Sequence, residues 1–294
     1  MKNIFIAGCG GMLGKAFYEE FKVDYNLYCT DININEQWLI YQDFRDFNSY
    51  RECVKQVNPD ILIHLGAHTD LEYCELNSED AYKTNTLAVE NATYIANELS
   101  IPLVYISTAG IFDGSKDFFD DWDTPNPMGV YARTKYLGER FVIENSKKYF
   151  IFRAGWMMGG HEKDKKFVYK IINQLKNGAT ELNIVDDKDG TPTYTVDFAK
   201  NARLIIEKEF FGLYNLVCEG LTSRYNVTKV ILKILGKNND ITINKVSSSF
   251  FEKDYFADRP SSERLINKKL NLRGLNIMRN WEDALQDYIG KVKI

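Results

Sequence analysis

The sequence predicts an α/β protein built on a doubly wound parallel sheet, with a smaller, interwoven C-terminal α/β part. Three observations carry this expectation. Apolar strand-like runs alternate with helical stretches of about ten residues or more, the order that a parallel sheet wrapped on both faces requires. Several of those runs, Asp60–Gly66 (DILIHLG) above all, are apolar throughout, as strands covered on both sides are. The first run passes straight into a glycine-rich turn, Gly8-Cys9-Gly10-Gly11-Met12-Leu13-Gly14.

Each element has its own signal. Lys2–Ala7 is a short apolar strand, and Met12–Lys22 follows as a helix. Tyr25–Thr30 is a second strand ending at Asp31, and Trp38–Tyr41 a weaker third. Asp46 suits the cap of a helix that runs to Val57 and stops at Asn58-Pro59. Asp60–Gly66 is the fourth strand. Ser78–Leu99 reads as one long helix, with Glu79 and Asp80 favouring its N-terminus. Leu103–Ser107, a helix over Tyr131–Ser146 and a strand over Tyr149–Arg153 complete the regular part. The expected division is a Rossmann domain over 1–154, completed by about 180–218, and a substrate part over 155–179 and 219–294. Within 180–218, Leu213–Val217 reads as a late strand of the sheet. Ser223–Leu235 and Asn280–Ile289 read as helices, Ser247–Arg264 as irregular and Lys163–Lys166 as a solvated charge run.

A chain of 294 residues, 45% apolar, can bury a substantial core. A net charge of −4 does not favour nucleic acid or an anionic membrane as partner. No apolar stretch approaches the roughly 18 residues of a membrane span, and Met1-Lys2-Asn3 leads directly into the first strand, so no signal peptide is expected. Five cysteines without CxxC pairing fit reduced thiols and a cytoplasmic location. His64, His68 and His161 lack metal-ligand spacing, so no metal is expected.

Gly8, Gly11 and Gly14 fit a G-x-x-G-x-x-G spacing, with Gly10 extra. Such a turn allows a pyrophosphate to approach the backbone, and the helix opened by Met12 and Leu13 offers it N–H groups and a positive dipole end. The acid at the end of the next strand, Asp31, suits the adenosine ribose hydroxyls and repels a 2′-phosphate, so the expected cofactor is NADH or NADPH with NADH preferred. Asp43 and Phe44, past the third strand, are candidates for the adenine side, although Asp43 equally suits a loop cap. Cys9 reads as a small filler within the turn. The second motif is Tyr131-Ala132-Arg133-Thr134-Lys135. It places a phenol and an ammonium at i and i+4 on one helix face, where the ammonium favours the phenolate. Thr108, ending the fifth strand, can hydrogen-bond a substrate oxygen.

These motifs occur in order with NPDILIHLGAHTD, STAGIFDG, RAGWMMGG, DDKDGTPTYTVDFA and RPSSERL. Along nearly its whole length the chain resembles the extended short-chain dehydrogenase/reductases, and among them the dTDP-4-dehydrorhamnose reductase family. The resemblance implies a 4-ketoreductase of nucleotide-linked deoxysugars in dTDP-rhamnose and polysaccharide biosynthesis. It implies Thr108, Tyr131 and Lys135 as the catalytic set, supported by a helix-kinking Asn85. It places Gly66, Ala67 and His68 along the cofactor, and Trp156, Thr191 and Arg259 at the nucleotide-sugar. Homodimerisation is common in the superfamily. One departure stands out: members commonly carry Asp-Tyr after the catalytic threonine, with the tyrosine facing the sugar, and this chain carries Ala109-Gly110. Two other readings remain open from the sequence. One is a sugar-nucleotide epimerase or dehydratase that retains NAD; the other is a non-catalytic NAD(P)-binding regulatory subunit.

Overall fold

The computed structural model describes residues 1–292. Its first half runs β1 (Asn3–Ala7), α1 (Gly14–Phe21), β2 (Asn26–Asp31), β3 (Leu39–Tyr41), α2 (Phe47–Val57), β4 (Ile61–His64), α3 (Leu71–Leu76), α4 (Ser78–Tyr82), α5 (Ala88–Leu99), β5 (Leu103–Thr108), α6 (Val130–Asn145) and β6 (Tyr149–Ala154). The second half runs β7 (Trp156–Met158), α7 (Phe167–Lys176), β8 (Glu181–Val185), β9 (Asp189–Gly190), β10 (Pro192–Tyr194), α8 (Thr195–Glu207), β11 (Gly212–Asn215), β12 (Thr222–Ser223), α9 (Arg224–Ile234), β13 (Thr242–Val246), β14 (Ser262–Glu263), α10 (Lys268–Arg273) and α11 (Trp281–Lys291).

Seven strands form one parallel sheet in the order β11-β6-β5-β4-β1-β2-β3. The chain winds outward from β1 to β3, then returns to β4 on the other side of β1. That reversal opens a crevice at the carboxyl ends of β1 and β4, the place where such sheets bind ligands. All four residues of β4 are buried, while β3 at the edge exposes Ile40 and Tyr41. On one face α1 and α8 bury Phe17, Phe21 and Phe198. On the other, α2, α5 and α6 bury Tyr50, Val54, Val89, Ile95 and Val142. Each such side chain contributes on the order of 1.5–3 kcal/mol.

Local signals explain the well-defined ends. The Asp46 carboxylate accepts the Ser49 N–H to cap α2, and Asn58 ends it with φ 47°. The expected single helix over Ser78–Leu99 is interrupted. A turn of π-helix, Lys83–Leu87, separates α4 from α5, and α3 precedes α4 across Asn77. Apolar periodicity continues through the segment, but Thr84, Asn85 and Thr86 are buried. The helix widens where Asn85 and Thr86 reach polar partners inside the protein.

The smaller part is interwoven through three short pairings. β7 pairs with β10, β8 with β13, and β9 lies between β12 and β14. Within the expected 180–218 stretch, α8 and β11 complete the large layer, whereas β8, β9 and β10 belong to these small sheets. The core is continuous across both parts, from Ile4 and Phe17 to Leu182 and Leu285. Among the described residues no helix is long and apolar enough to cross a membrane.

A buried ion pair joins α6 to β6. Arg153 Nη2 and Glu139 Oε1 lie 2.6 Å apart, with side chains 4% and 1% exposed. Removing one partner leaves an uncompensated buried charge. Glu139→Ala should lower unfolding stability in urea by about 3–5 kcal/mol, and replacing both residues by leucine should cost much less. A single substitution costing no more than the pair would contradict this.

Candidate active site at the carboxyl ends of the sheet

The glycine turn follows β1 with each glycine under its own constraint. Gly8 has φ +74°, and a Cβ there would lie 2.3 Å from the Gly66 backbone, so the loops after β1 and β4 touch main chain to main chain. A Cβ on Gly14 would fall 1.8 Å from the Cys9 carbonyl oxygen, so α1 sits directly on the turn. Gly11 is exposed, and a Cβ there would meet only the Gly8 carbonyl oxygen, at 3.8 Å. No side chain caps α1 and no acid lies in its first turn, so Met12 and Leu13 lead into a bare helix N-terminus. This cradle fits a dinucleotide pyrophosphate. Cys9 within it is fully buried, which pushes its thiol well above the ordinary range.

Asp31 closes the far side. Its carboxylate accepts the N–H of Gly10 and of Asn33, each at 2.9 Å, so the acid is pinned at the end of β2. Asn35 donates to the Gly10 carbonyl at 3.0 Å. Asp43 is a partner of Arg45, at 2.7 Å, and that guanidinium holds the carboxyl below its usual range. Phe44 packs edge-on against His64 and fills the volume beside Gly66, where a Cβ would meet its ring at 2.2 Å.

After β4, Gly66, Ala67 and His68 run along the crevice. Asn85 fixes them: its Oδ1 accepts the His68 N–H at 2.8 Å, and its Nδ2 donates to the His68 carbonyl at 3.0 Å and to Thr134 Oγ1 at 3.2 Å. Thr134 stands next to Lys135 on α6. Lys135 is 4% exposed, with its ammonium 4.3 Å from the centre of the Tyr105 ring. Burial lowers its pKa to about 7, against a smaller opposing pull from Glu139. Tyr131 is not shifted toward the phenolate, as the neighbouring ammonium led one to expect: burial raises it to about 12, and a hydrogen bond with the Thr108 hydroxyl opposes the rise. Both shifts have one cause: a desolvated group avoids its charged form.

The substrate-side candidates come to the same end of the sheet with different degrees of exposure. The Trp156 ring lies on the bare backbone of Gly190, where a Cβ would fall 2.2 Å from it, and Arg224 lies 5.2 Å from the ring centre. The Trp156 indole donates to Glu263 at 2.7 Å. Thr191 is fully buried, and its hydroxyl exchanges hydrogen bonds with the Leu265 backbone, so it supports the wall without presenting a polar group. Arg259 pairs with Glu72 at 2.8 Å. The lysine run is not the solvated segment expected. Lys163 pairs with Glu36 at 3.1 Å, and Lys166 donates to the Thr69 carbonyl at 2.9 Å, so both tie the smaller part to the loops after β2 and β4. Arg224 carries no motif, and Glu263 lies within RPSSERL, where the sequence singles out Arg259; only the folded pairing with Trp156 brings both here.

Comparison with known proteins shows the family of the chain. The family model described as RmlD substrate binding domain matches residues 1–294. The dTDP-4-dehydrorhamnose reductase of Salmonella typhimurium is 29% identical, over 95% of this chain and 94% of that protein. A dTDP-4-dehydrorhamnose reductase structure from Clostridium acetobutylicum is 30% identical, with TM-score 0.89 over 98% of each chain. The Bacillus anthracis reductase, solved in complex with NADP, is 28% identical, with TM-score 0.89 over 99% of each. The chain belongs to the RmlD substrate binding domain family, as an NAD(P)-dependent oxidoreductase of the dTDP-4-dehydrorhamnose reductase kind.

Proposed function

We propose that the protein reduces the 4-keto group of a nucleotide-linked deoxysugar, with Tyr131 as proton donor. The observation that carries this is the hydrogen bond between Thr108 and Tyr131, with Lys135 one turn further along α6, beside the glycine turn and its bare helix N-terminus. Bound there, a reduced nicotinamide supplies the hydride. The phenol then delivers its proton to the oxygen of the reduced carbon. A phenol near pKa 12 is fully protonated at neutral pH, which is the form a proton donor needs. Thr108 holds the substrate oxygen. Lys135 stabilises the phenolate that forms, and Asn85 fixes the helix that presents both groups. Trp156 and Arg259 are assigned to the sugar and nucleotide side.

Tyr131→Phe should lower turnover roughly 10²–10⁴-fold while leaving the fold intact. The assay follows NADH consumption with dTDP-4-keto-6-deoxy-L-mannose. Wild-type turnover in the variant would reject the assignment. Sugar-dependent consumption in the wild type separates a reductase from an epimerase that regenerates its own cofactor.

Asp31 is assigned to the adenosine ribose, with NADH the preferred cofactor. A carboxylate pinned by two backbone N–H groups cannot swing away from a 2′-phosphate. Asp31→Ser should shift the kcat/KM ratio toward NADPH by about tenfold, the effect of about 1.4 kcal/mol of lost repulsion. A wild type that already prefers NADPH by that factor would overturn the assignment.

Lys135 also leaves a mark on stability. Its folded pKa of about 7 lies below its ordinary 10.5. The penalty of burying its charge is therefore fully present below pH 7 and fades as pH rises toward 10.5. Lys135→Met should be more stable than wild type at neutral pH, with the difference shrinking through that window in urea melts. A pH-independent difference would rule this out.

A further inference from the structure

We propose that Glu263 determines substrate specificity, its carboxylate accepting a hydrogen bond from a hydroxyl of the sugar ring. This rests on the ketoreductase reading above and names the group that reads the sugar.

The argument starts from the missing side chain at residue 110. A Cβ on Gly110 would lie 3.4 Å from Glu263 Oε1 and 3.5 Å from Thr108 Oγ1, ordinary contact distances with no clash. The two oxygens therefore border one small volume. One belongs to the residue that holds the reacting oxygen, and the other to a carboxylate from β14, far along the chain. Glu263 also stands close enough to Tyr131 for its charge to raise the phenol's pKa. Its position faces the reacting groups as well as the pocket wall.

The carboxylate is held in place and only half used. Glu263 Oε2 accepts the Trp156 indole N–H at 2.7 Å. Trp156 is wedged against Gly190, and the Arg224 guanidinium lies over its ring, 5.2 Å from the centre. Oε1 faces the Gly110 volume. A carboxylate only accepts hydrogen bonds, so it selects a donor on the ligand. A bond from a sugar hydroxyl to a charged acceptor is stronger than one between neutral groups and depends more on geometry. The Arg224 guanidinium, near enough to interact with the same carboxylate through its charge, makes a cationic substituent a poorer match than a neutral hydroxyl. Where the resemblance leads one to expect a phenol facing the sugar, this chain has removed that side chain and set an acid from another strand at the same place.

The test uses the full-length protein with NADH and dTDP-4-keto-6-deoxy-L-mannose, and with the 2-deoxy and 3-deoxy analogues of that sugar. Glu263→Gln keeps the shape and removes the charge. Glu263→Asp keeps the charge and withdraws it by one methylene. Both should raise KM for the sugar nucleotide about tenfold or more, with a smaller effect on kcat and none on KM for NADH. The wild type should discriminate by a similar factor against one deoxy analogue, and the variants should lose that discrimination. A purely structural role for Glu263 would leave the discrimination unchanged, and that result overturns the proposal. A wild type that binds NADH but reduces no keto-sugar nucleotide would instead reject the ketoreductase reading, and this inference with it. Thermal melts of both variants identify a folding defect, and the aspartate variant decides the matter if the glutamine variant does not fold.

Discussion

The crevice depends on one buried amide. Asn85 is fully buried, and its side chain accepts from and donates to the His68 backbone while also donating to Thr134. A single side chain thus holds the loop after β4 and the helix that carries Tyr131 and Lys135. In a regular α-helix each residue turns by a fixed angle, so the direction of Asn85 is set by its place in the sequence. The π turn at Lys83–Leu87 adds one residue to the turn and changes that direction. The local hydrogen bonds it weakens are offset by the buried ones it permits. Thr86 adds a further link, donating to the Thr134 carbonyl at 2.9 Å. A buried network of this kind is rigid only when every member is satisfied, and Asn85 is satisfied at both ends of its amide.

The same burial that orders the site sets its acid–base state. Lys135 and Tyr131 are four residues apart on α6 and share a desolvated environment, yet their pKa values move in opposite directions. The lysine is neutral in its deprotonated form and the phenol in its protonated form, so burial alone gives both shifts. Glu139, one turn beyond Lys135, pulls the ammonium back toward its charged form while being committed to Arg153. The ion pair therefore anchors α6 to the sheet and also tempers the lysine. A site arranged in this way stores unfavourable charge burial at a few positions, and the continuous apolar core carries it.

The first half of the fold was legible because its signals are local. The glycine spacing, the Asp46 cap and the Asn58-Pro59 stop each act within a few residues, and strands covered on both faces are apolar throughout. The break near Asn85 was not legible as a break, because the apolar pattern that marks a helix continues through Ala81, Ala88 and Val89. What stops the helix from being regular is a partner at His68, and nothing in the local pattern names it. The second half was harder for the same reason. β9, β12 and β14 are two residues each, too short for any periodicity, and they exist only through pairing with one another. Lys163 and Lys166 looked solvated because charge runs usually are, and within RPSSERL only Arg259 was singled out. Trp156, by contrast, stood out by residue type, yet its partner lay 107 positions away.

The smaller part is tied to the crevice by interactions of a particular kind. Lys163–Glu36 and Lys166–Thr69 join it to the loops beyond β2 and β4, and Arg259–Glu72 joins it to α3. Each ion pair is partly exposed, and pairs of that sort typically contribute about 0–1 kcal/mol. They add little to stability beside the fully buried aromatic side chains of α1 and α8. Their effect is geometric: three contacts spread over two loops and α3 restrict how the substrate wall sits against the cofactor side. Gly160, with φ +79°, brings the backbone of the smaller part against Met12, where a Cβ would lie 2.7 Å from the methionine side chain, and so adds a steric stop at the glycine turn itself. The division of labour follows from these magnitudes. The apolar core keeps the two parts together, while weak polar contacts at the rim set their spacing. Opening at the rim costs far less than separating the core, so any motion that admits a ligand belongs to the rim.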